Sequence, residues 1–242
     1  MDITYFQASV SVRVKENLTQ NQFGKAIGQL INVVFSNSEE WTRFHESRER
    51  KGYTFSTLTN EKIANGYFKA DKGDVCQFYI FSGNQDFMNL LENCLFESDQ
   101  LKVLDIIIDH KTWKGAVPTI QVKNPLLLKD DSSGQREIYF LRPTDSKEKK
   151  EEFLRYLNQF IKADFEYITG ERLPENFTYI LDIKQPKIGH YEENGIKLIG
   201  TKGHFLVDTS ILGKLITQHL MTHGMGIKSS YLGAGSIILK GD

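Results

Sequence analysis

The chain has 242 residues with 30 Lys and Arg against 31 Asp and Glu, a net charge of −1, so any nucleic-acid contact must gather its positive charge on one face. Length and a 40% hydrophobic fraction suit one large domain or two small ones. Cys76 and Cys94 have neither CxxC spacing nor a nearby histidine, which reads as buried thiols in a reducing compartment. The opening "MDITYFQASVSV" lacks the basic start of a signal peptide, and no run approaches the roughly 20 apolar residues of a membrane span; a soluble, cytoplasmic protein is expected.

In chain order, "TYFQASVSVRV" places Thr4, Phe6, Ala8, Val10, Val12 and Val14 on one face at period two, a half-buried strand. Phe23, Ile27, Leu30, Ile31 and Val34 then recur at helical spacing behind a capping box of Thr19 and Gln22. A short helix "SEEWTRFHE" precedes a strand "GYTFSTL", and "GYFKA" with "DVCQFYIFS" reads as a hairpin around Lys72-Gly73-Asp74. The amphipathic "NQDFMNLLENCLF" and the apolar strand "LKVLDIIID" complete a β-α-β-β-α-β unit, the ferredoxin-like order.

The order then repeats. "TIQVKNPLLLKDD" and "REIYFLRP" read as strands across a "DSSGQ" turn, followed by the long helix "SKEKKEEFLRYLNQFIKADFEYIT", whose charges form a solvated face. "FTYILDIKQPKI" and "GIKLIGTKGHFLVD" are strands, "TSILGKLITQHLMTH" is a helix ending at Gly224, and "GSIILK" is the last strand. The fold class is therefore α+β, with two tandem ferredoxin-like domains, residues 1–117 and 118–242, divided where "KGAVP" breaks the periodicity. Their antiparallel sheets are expected to face a central cleft.

The chemistry concentrates in two places. "GMGIKSSYLGAG" sets Gly224, Gly226, Gly233 and Gly235 around Lys228 and Ser229. It is neither a Walker loop nor a dinucleotide loop, because it follows a helix and precedes a strand. A helix C-terminus presents carbonyls, so an anion held here must be met by the loop's own N–H groups and by Lys228. Otherwise the stretch is a tight turn. Between residues 197 and 240, Lys197, Lys202, Lys214, Lys228 and Lys240 face only Asp208, as a phosphate-tracking surface requires. The second place is "RFHESRERKGY", with Arg43, His45, Arg48, Arg50 and Lys51; its "KGYTF" matches the start of the RNA-recognition pattern K/R-G-F/Y-G/A-F, then departs from it at Thr54. His219 and His223 share a helix face without the glutamate of HExxH and read as a polar face near the helix end. No metal set is apparent.

On these residues the chain resembles the RAMP superfamily, and within it the CRISPR-associated precursor-RNA endoribonuclease, the sixth family of Cas proteins. "GMGIKSSYLGAG" is similar to that family's glycine-rich loop, "FHESRERKGYTFSTL" to its first-domain histidine and basic segment, and "VKNPLLLKDD…REIYFLRP" to the opening of its second domain. Two features depart from the pattern. The stretch between Gly226 and Gly233 is one residue longer than usual, which suggests a bulge at Tyr231, and the first helix, "QNQFGKAIGQLINVVF", lacks the catalytic tyrosine of several members.

The resemblance implies metal-independent, cofactor-free cleavage of CRISPR repeat RNA into guide RNAs by the substrate's own 2′-OH. His45 is implied as base or acid, Lys51 as the electrostatic stabiliser, and Lys25 or Gln29 as the group that orients the phosphate. The glycine-rich loop and Arg43, Arg48 and Arg50 are implied as RNA contacts. A monomer or homodimer, with other Cas proteins as partners in an effector complex, is the implied assembly. The rival reading is a non-catalytic RAMP-type RNA-binding subunit, which the missing tyrosine favours. A small-molecule α/β enzyme ranks last, for want of a cofactor loop.

Overall fold

The computed structural model describes residues 1–36, 39–46, 51–60, 69–93, 96–128, 142–193 and 196–240. The first half contains β1 (Ile3–Val14), β2 (Leu18–Thr19), α1 (Gln20–Phe35), α2 (Glu39–Glu46), β3 (Tyr53–Phe55), β4 (Lys69–Ala70), β5 (Val75–Ser82), α3 (Gln85–Glu92) and β6 (Leu101–Trp113). The second contains β7 (Thr119–Leu126), α4 (Lys147–Thr169), β8 (Ile180–Glu193), β9 (Ile196–Val207), α5 (Ile211–His223), α6 (Ser229–Leu232) and β10 (Ile237–Lys240).

Each half builds an antiparallel sheet of the same topology. The orders are β3-β5-β1-β6 and β10-β7-β9-β8. In both, the outer strands are the second and fourth of the unit and the inner ones the first and third, as a pair of β-α-β crossovers around one hairpin produces. Two tandem ferredoxin-like units are therefore present.

The alternation read in β1 is real: Ala8, Val10, Val12 and Val14 are buried against Phe23, Ile27, Leu30, Ile31 and Val34 of α1. Gln22 Oε1 accepts from the Thr19 N–H at 2.9 Å, which starts α1 where the sequence placed its cap. In the second half Phe153, Leu157, Ile161 and Phe165 of α4 and Ile216 and Leu220 of α5 pack with Ile120 and Phe205 of the sheet. Ser146 and Ser210 cap α4 and α5, each accepting a backbone N–H three residues on.

One expected pairing changes. β4 does not pair with β5 as a hairpin but with β2, Leu18 opposite Ala70. The turn at Gly73 is instead held on the end of β1, since Gly73 N–H donates to Val14 O at 2.8 Å and Val14 N–H to Asp74 O at 2.9 Å. The partial match of "KGYTF" to the RNA-recognition pattern does not extend to exposed aromatics. Tyr53 and Phe55 are buried, and Tyr53 lies 4.9 Å from the Phe87 ring in the first core. The predicted strand "REIYFLRP" lies almost wholly outside the described residues, and so does Cys94; Cys76 is buried.

The halves meet through α5. Ile3 and Phe81 point from the outer face of the first sheet into the second core, beside Ile216, Leu220 and Met221. That face is therefore covered at this end and does not front an open cleft there. Among the described residues, no helix is long and apolar enough to cross a membrane.

Candidate nucleic-acid interface

The glycine-rich stretch leaves α5 at Gly224, whose N–H still donates to Leu220 O at 2.9 Å. Beyond it the chain crosses itself. Met225 N–H donates to Gly235 O at 3.0 Å, and a Cβ on Gly235 would stand 1.6 Å from Met225 O. Asn124 of β7 ties the stretch to the first half: its Nδ2 donates to Gly233 O at 2.9 Å and to Phe55 O at 3.2 Å. A Cβ on Gly233 would lie 2.5 Å from Phe55 O. Ile227 N–H donates to Leu127 O and Gly235 N–H to Pro125 O. The close approach that glycine permits is thus made here by the protein's own backbone, and several of the loop's N–H groups are committed within it. The extra residue is taken up in one turn of helix, α6, rather than as a bulge. Lys228, half-buried with φ +59, and the buried Ser229 lie at its start.

The other predicted segment adjoins this loop through β3. Thr54 Oγ1 lies 3.5 Å from Ser229 O in the buried seam between β3 and α6. Lys51, half-buried, immediately precedes that strand, and Gly52 O accepts from Ser82 Oγ at 2.7 Å. Arg43 pairs with Glu39 one turn away on the exposed face of α2. His45 belongs to α2, but its side chain lies outside the described residues, as do Arg48 and Arg50. α1 lies against the loop as well: a Cβ on Gly24 would meet Leu232 O at 2.5 Å. Lys25 and Gln29 follow on that helix, half-buried and exposed respectively. The structure therefore brings Lys51, the loop, and the helix carrying Lys25 and Gln29 into one neighbourhood.

Between the halves, beside α6, a cavity of about 280 Å³ is lined by Gln20, Asn21 and Thr57 of the first half and by Asn124, Lys187, His190 and Lys202 of the second, among others. Among the described residues, no carboxylate lines it. Lys187 and Lys202 stand directly opposite each other in the β8–β9 register, an arrangement that is repulsive in the absence of an anion. Burial, and secondarily the charge of Lys123, pull the Lys202 ammonium pKa below its ordinary value. Lys202 was expected in a basic region; on β8, Lys187 was not singled out and His190 was expected beside a turn, not within a strand. Their placement depends on the irregularity of β8, where the register shifts between Lys184 and Lys187 and Gln185 adopts φ +50. Lys214 does not extend this patch, since its Nζ reaches Met1 O at 3.4 Å.

The two helix histidines also differ from expectation. His219 is turned inward rather than lying on a polar face, with Nε2 2.8 Å from Asp164 Oδ2 of α4. His223 stacks on it at 4.4 Å. Nothing in the sequence pairs residues 164 and 219, because helix periodicity says which face is buried but not which helix meets it.

No protein-family model and no curated protein matches the sequence. Solved structures do match. One described as "CRISPR associated protein Cas6" is 19% identical with a TM-score of 0.72, and the match covers 98% of this chain and 100% of that one. "An RAMP protein binding different RNA substrates" matches at 17% identity and TM-score 0.76, again over 98% and 100%. A third, from work described as "Characterization of a Cas6-related gene from Pyrococcus furiosus", matches at 16% and 0.70 over 98% and 99%. From end to end, the chain has the tandem ferredoxin-like fold of the Cas6 and RAMP proteins.

Proposed function

We propose that the chain is a metal-independent endoribonuclease that cuts CRISPR repeat transcripts into guide RNAs. The observation that supports this reading is the meeting, along β3, of the Lys51 segment with the loop carrying Lys228, in a fold shared over 98% of the chain with a protein described as Cas6. The substrate's 2′-OH attacks the adjacent phosphorus. The O2′–P bond forms and the P–O5′ bond breaks, leaving a 2′,3′-cyclic phosphate and a 5′-OH. His45 exchanges a proton with one of these oxygens, a task suited to a group that titrates near neutrality. Lys51 offsets the charge gained by the phosphorane. Lys25 or Gln29, on the helix packed against the loop, orients the scissile phosphate. Arg43, Arg48, Arg50 and Lys228 add phosphate contacts that fix the register of the RNA, and the cavity bearing Lys187 and Lys202 extends the track.

A second reading is kept by one observation, the absence of a tyrosine from α1: an RNA-binding subunit that does not cut. Labelled repeat RNA separates the two. One deoxynucleotide just upstream of the scissile phosphate abolishes cleavage while binding survives, EDTA leaves the rate unchanged, and His45→Ala slows it by roughly 10²–10⁴-fold. Full activity on the deoxy substrate excludes 2′-OH attack. Binding of the repeat without cleavage by the wild type selects the second reading.

A further inference from the structure

We infer that His223 is a second proton-transferring residue of the RNA site, with its ring set by a buried His219–Asp164 pair; this rests on the endoribonuclease reading above. Cleavage by the 2′-OH needs two proton transfers, one from the nucleophile and one to the departing 5′-oxygen. The first half supplies one histidine for them, His45. The structure places a second at the foot of the strand that follows Lys51.

The placement is built in layers. Asp164 and His219 are 9% and 4% exposed and 2.8 Å apart, and Phe165 meets the His219 ring edge-on at 5.5 Å. A buried polar pair of this kind is often no more stabilising than an apolar pair of the same size, so stability alone does not account for it. It does fix the plane of the His219 ring, and His223 lies on that plane at 4.4 Å with a tilt of 17°. The His223 ring is held at Nδ1 as well, 3.1 Å from His219 O and 2.8 Å from Thr222 Oγ1, whose hydroxyl also reaches Gln218 O and His219 O. A Cβ built on Gly52 lies 3.7 Å from Nε2, so that nitrogen sits at the backbone of the residue after Lys51.

The position also favours the cation, because α5 ends at His223 and its terminal carbonyls carry partial negative charge. Among the described residues, the titratable side chains on and around the elements packed against α5 include Asp164 of α4, Tyr5 and Arg13 of β1, Tyr53 of β3, Cys76 and Tyr79 of β5, Lys240 of β10, Tyr179 ahead of β8 and Lys51 ahead of β3, with Lys214 and His219 on α5 itself. With His45 at one oxygen and His223 at the other, one ring takes the 2′-OH proton as the O2′–P bond forms, and the other gives a proton to O5′ as the P–O5′ bond breaks. Protons balance and no redox partner is needed.

The test is single-turnover cleavage of repeat RNA by the full chain across the neutral pH range, with binding measured in parallel. His223→Ala is expected to lower the rate by roughly 10²-fold or more with RNA affinity unchanged. Asp164→Asn keeps a hydrogen bond to His219 but not the carboxylate that orients its ring. It is expected to slow cleavage at unchanged RNA affinity, with the rate partly rescued by Asp164→Glu, which loss of packing alone does not produce. Melting temperatures identify a variant that fails to fold, and His223, half-buried at a helix end, tolerates truncation better than Asp164. If the wild type cuts and His223→Ala cuts at the same rate with the same profile, the inference is overturned and the endoribonuclease reading stands. If the wild type binds the repeat but does not cut, that reading fails. The His223 ring proton signals during titration with 2′-deoxy repeat RNA then decide: unchanged signals overturn any RNA contact by His223, and shifted signals keep it in the site.

Discussion

Lys228 holds the left-handed backbone region, at φ +59, where an L-residue costs about 1–2 kcal/mol. Glycine would relieve that strain, so the lysine side chain has a use that turn geometry does not explain. If the use is a phosphate contact, Lys228→Ala leaves the strain and melting temperature nearly as they are and weakens RNA binding across sequences. The slope of log affinity against log salt should become shallower by about 0.7–0.9, one phosphate contact. An unchanged slope removes Lys228 from the RNA track. At this scale the sequence says little about where side chains point. The segments carrying Lys51 and Lys228 meet where Thr54 touches Ser229, whereas Tyr53 and Phe55 are committed to the core with Phe35 and Phe87. The direction of a strand's side chains follows from its register in the sheet, and three residues of β3 are too few to reveal an alternation.

The element that carries most of the argument is the stretch from Gly224 to α6 and β10. Its glycines signalled a close approach to main chain, and the approach is real, but the backbone that arrives is the protein's own. Met225 and Gly235 exchange a hydrogen bond across the base of the loop, while Asn124 joins Gly233 to Phe55. Gly235→Ala places a methyl 1.6 Å from Met225 O at φ +66, where alanine is already disfavoured. It is expected to cost at least about 2 kcal/mol, seen as a lower denaturant midpoint with the slope unchanged. It should also weaken RNA binding if the loop's shape, and not only its charge, is read. A variant as stable as the wild type would show that the crossing relaxes at little cost. The helices were legible because their periodicity is local, and the capping box at Thr19 marks a true start. The pairing of β4 with β2 was not, because two-residue strands carry no pattern and their partner is chosen by the end of β1.

For the whole molecule, the repeated strand-helix-strand-strand-helix-strand order made the architecture readable, since each unit closes its own sheet through local connections. How the units join was not readable, because it depends on apolar residues that look like ordinary strand positions. Ile3 and Phe81 belong to the first sheet but are buried in the second core, with Tyr5, Tyr79 and Trp113 packed beside them. Separating the halves would expose that seam of apolar surface, at a cost of about 25 cal/mol per Å², and would break the Asn124 bridge at the same time. The halves should therefore unfold together. The chain's two tryptophans can report this, because Trp41 packs on the first core and Trp113 on the second. In Trp113→Phe only the first core is seen, and in Trp41→Phe only the seam, where Trp113 of β6 packs on the second core. The expected outcome is that, within each variant, tryptophan fluorescence and far-ultraviolet circular dichroism give the same denaturant midpoint and slope, as an all-or-none transition requires. If the fluorescence midpoint separates from the circular dichroism midpoint in either variant, the halves are independent domains tied only by the loop, and the proposed RNA site spanning β3, α1 and the 224–235 stretch would have to be assembled on binding.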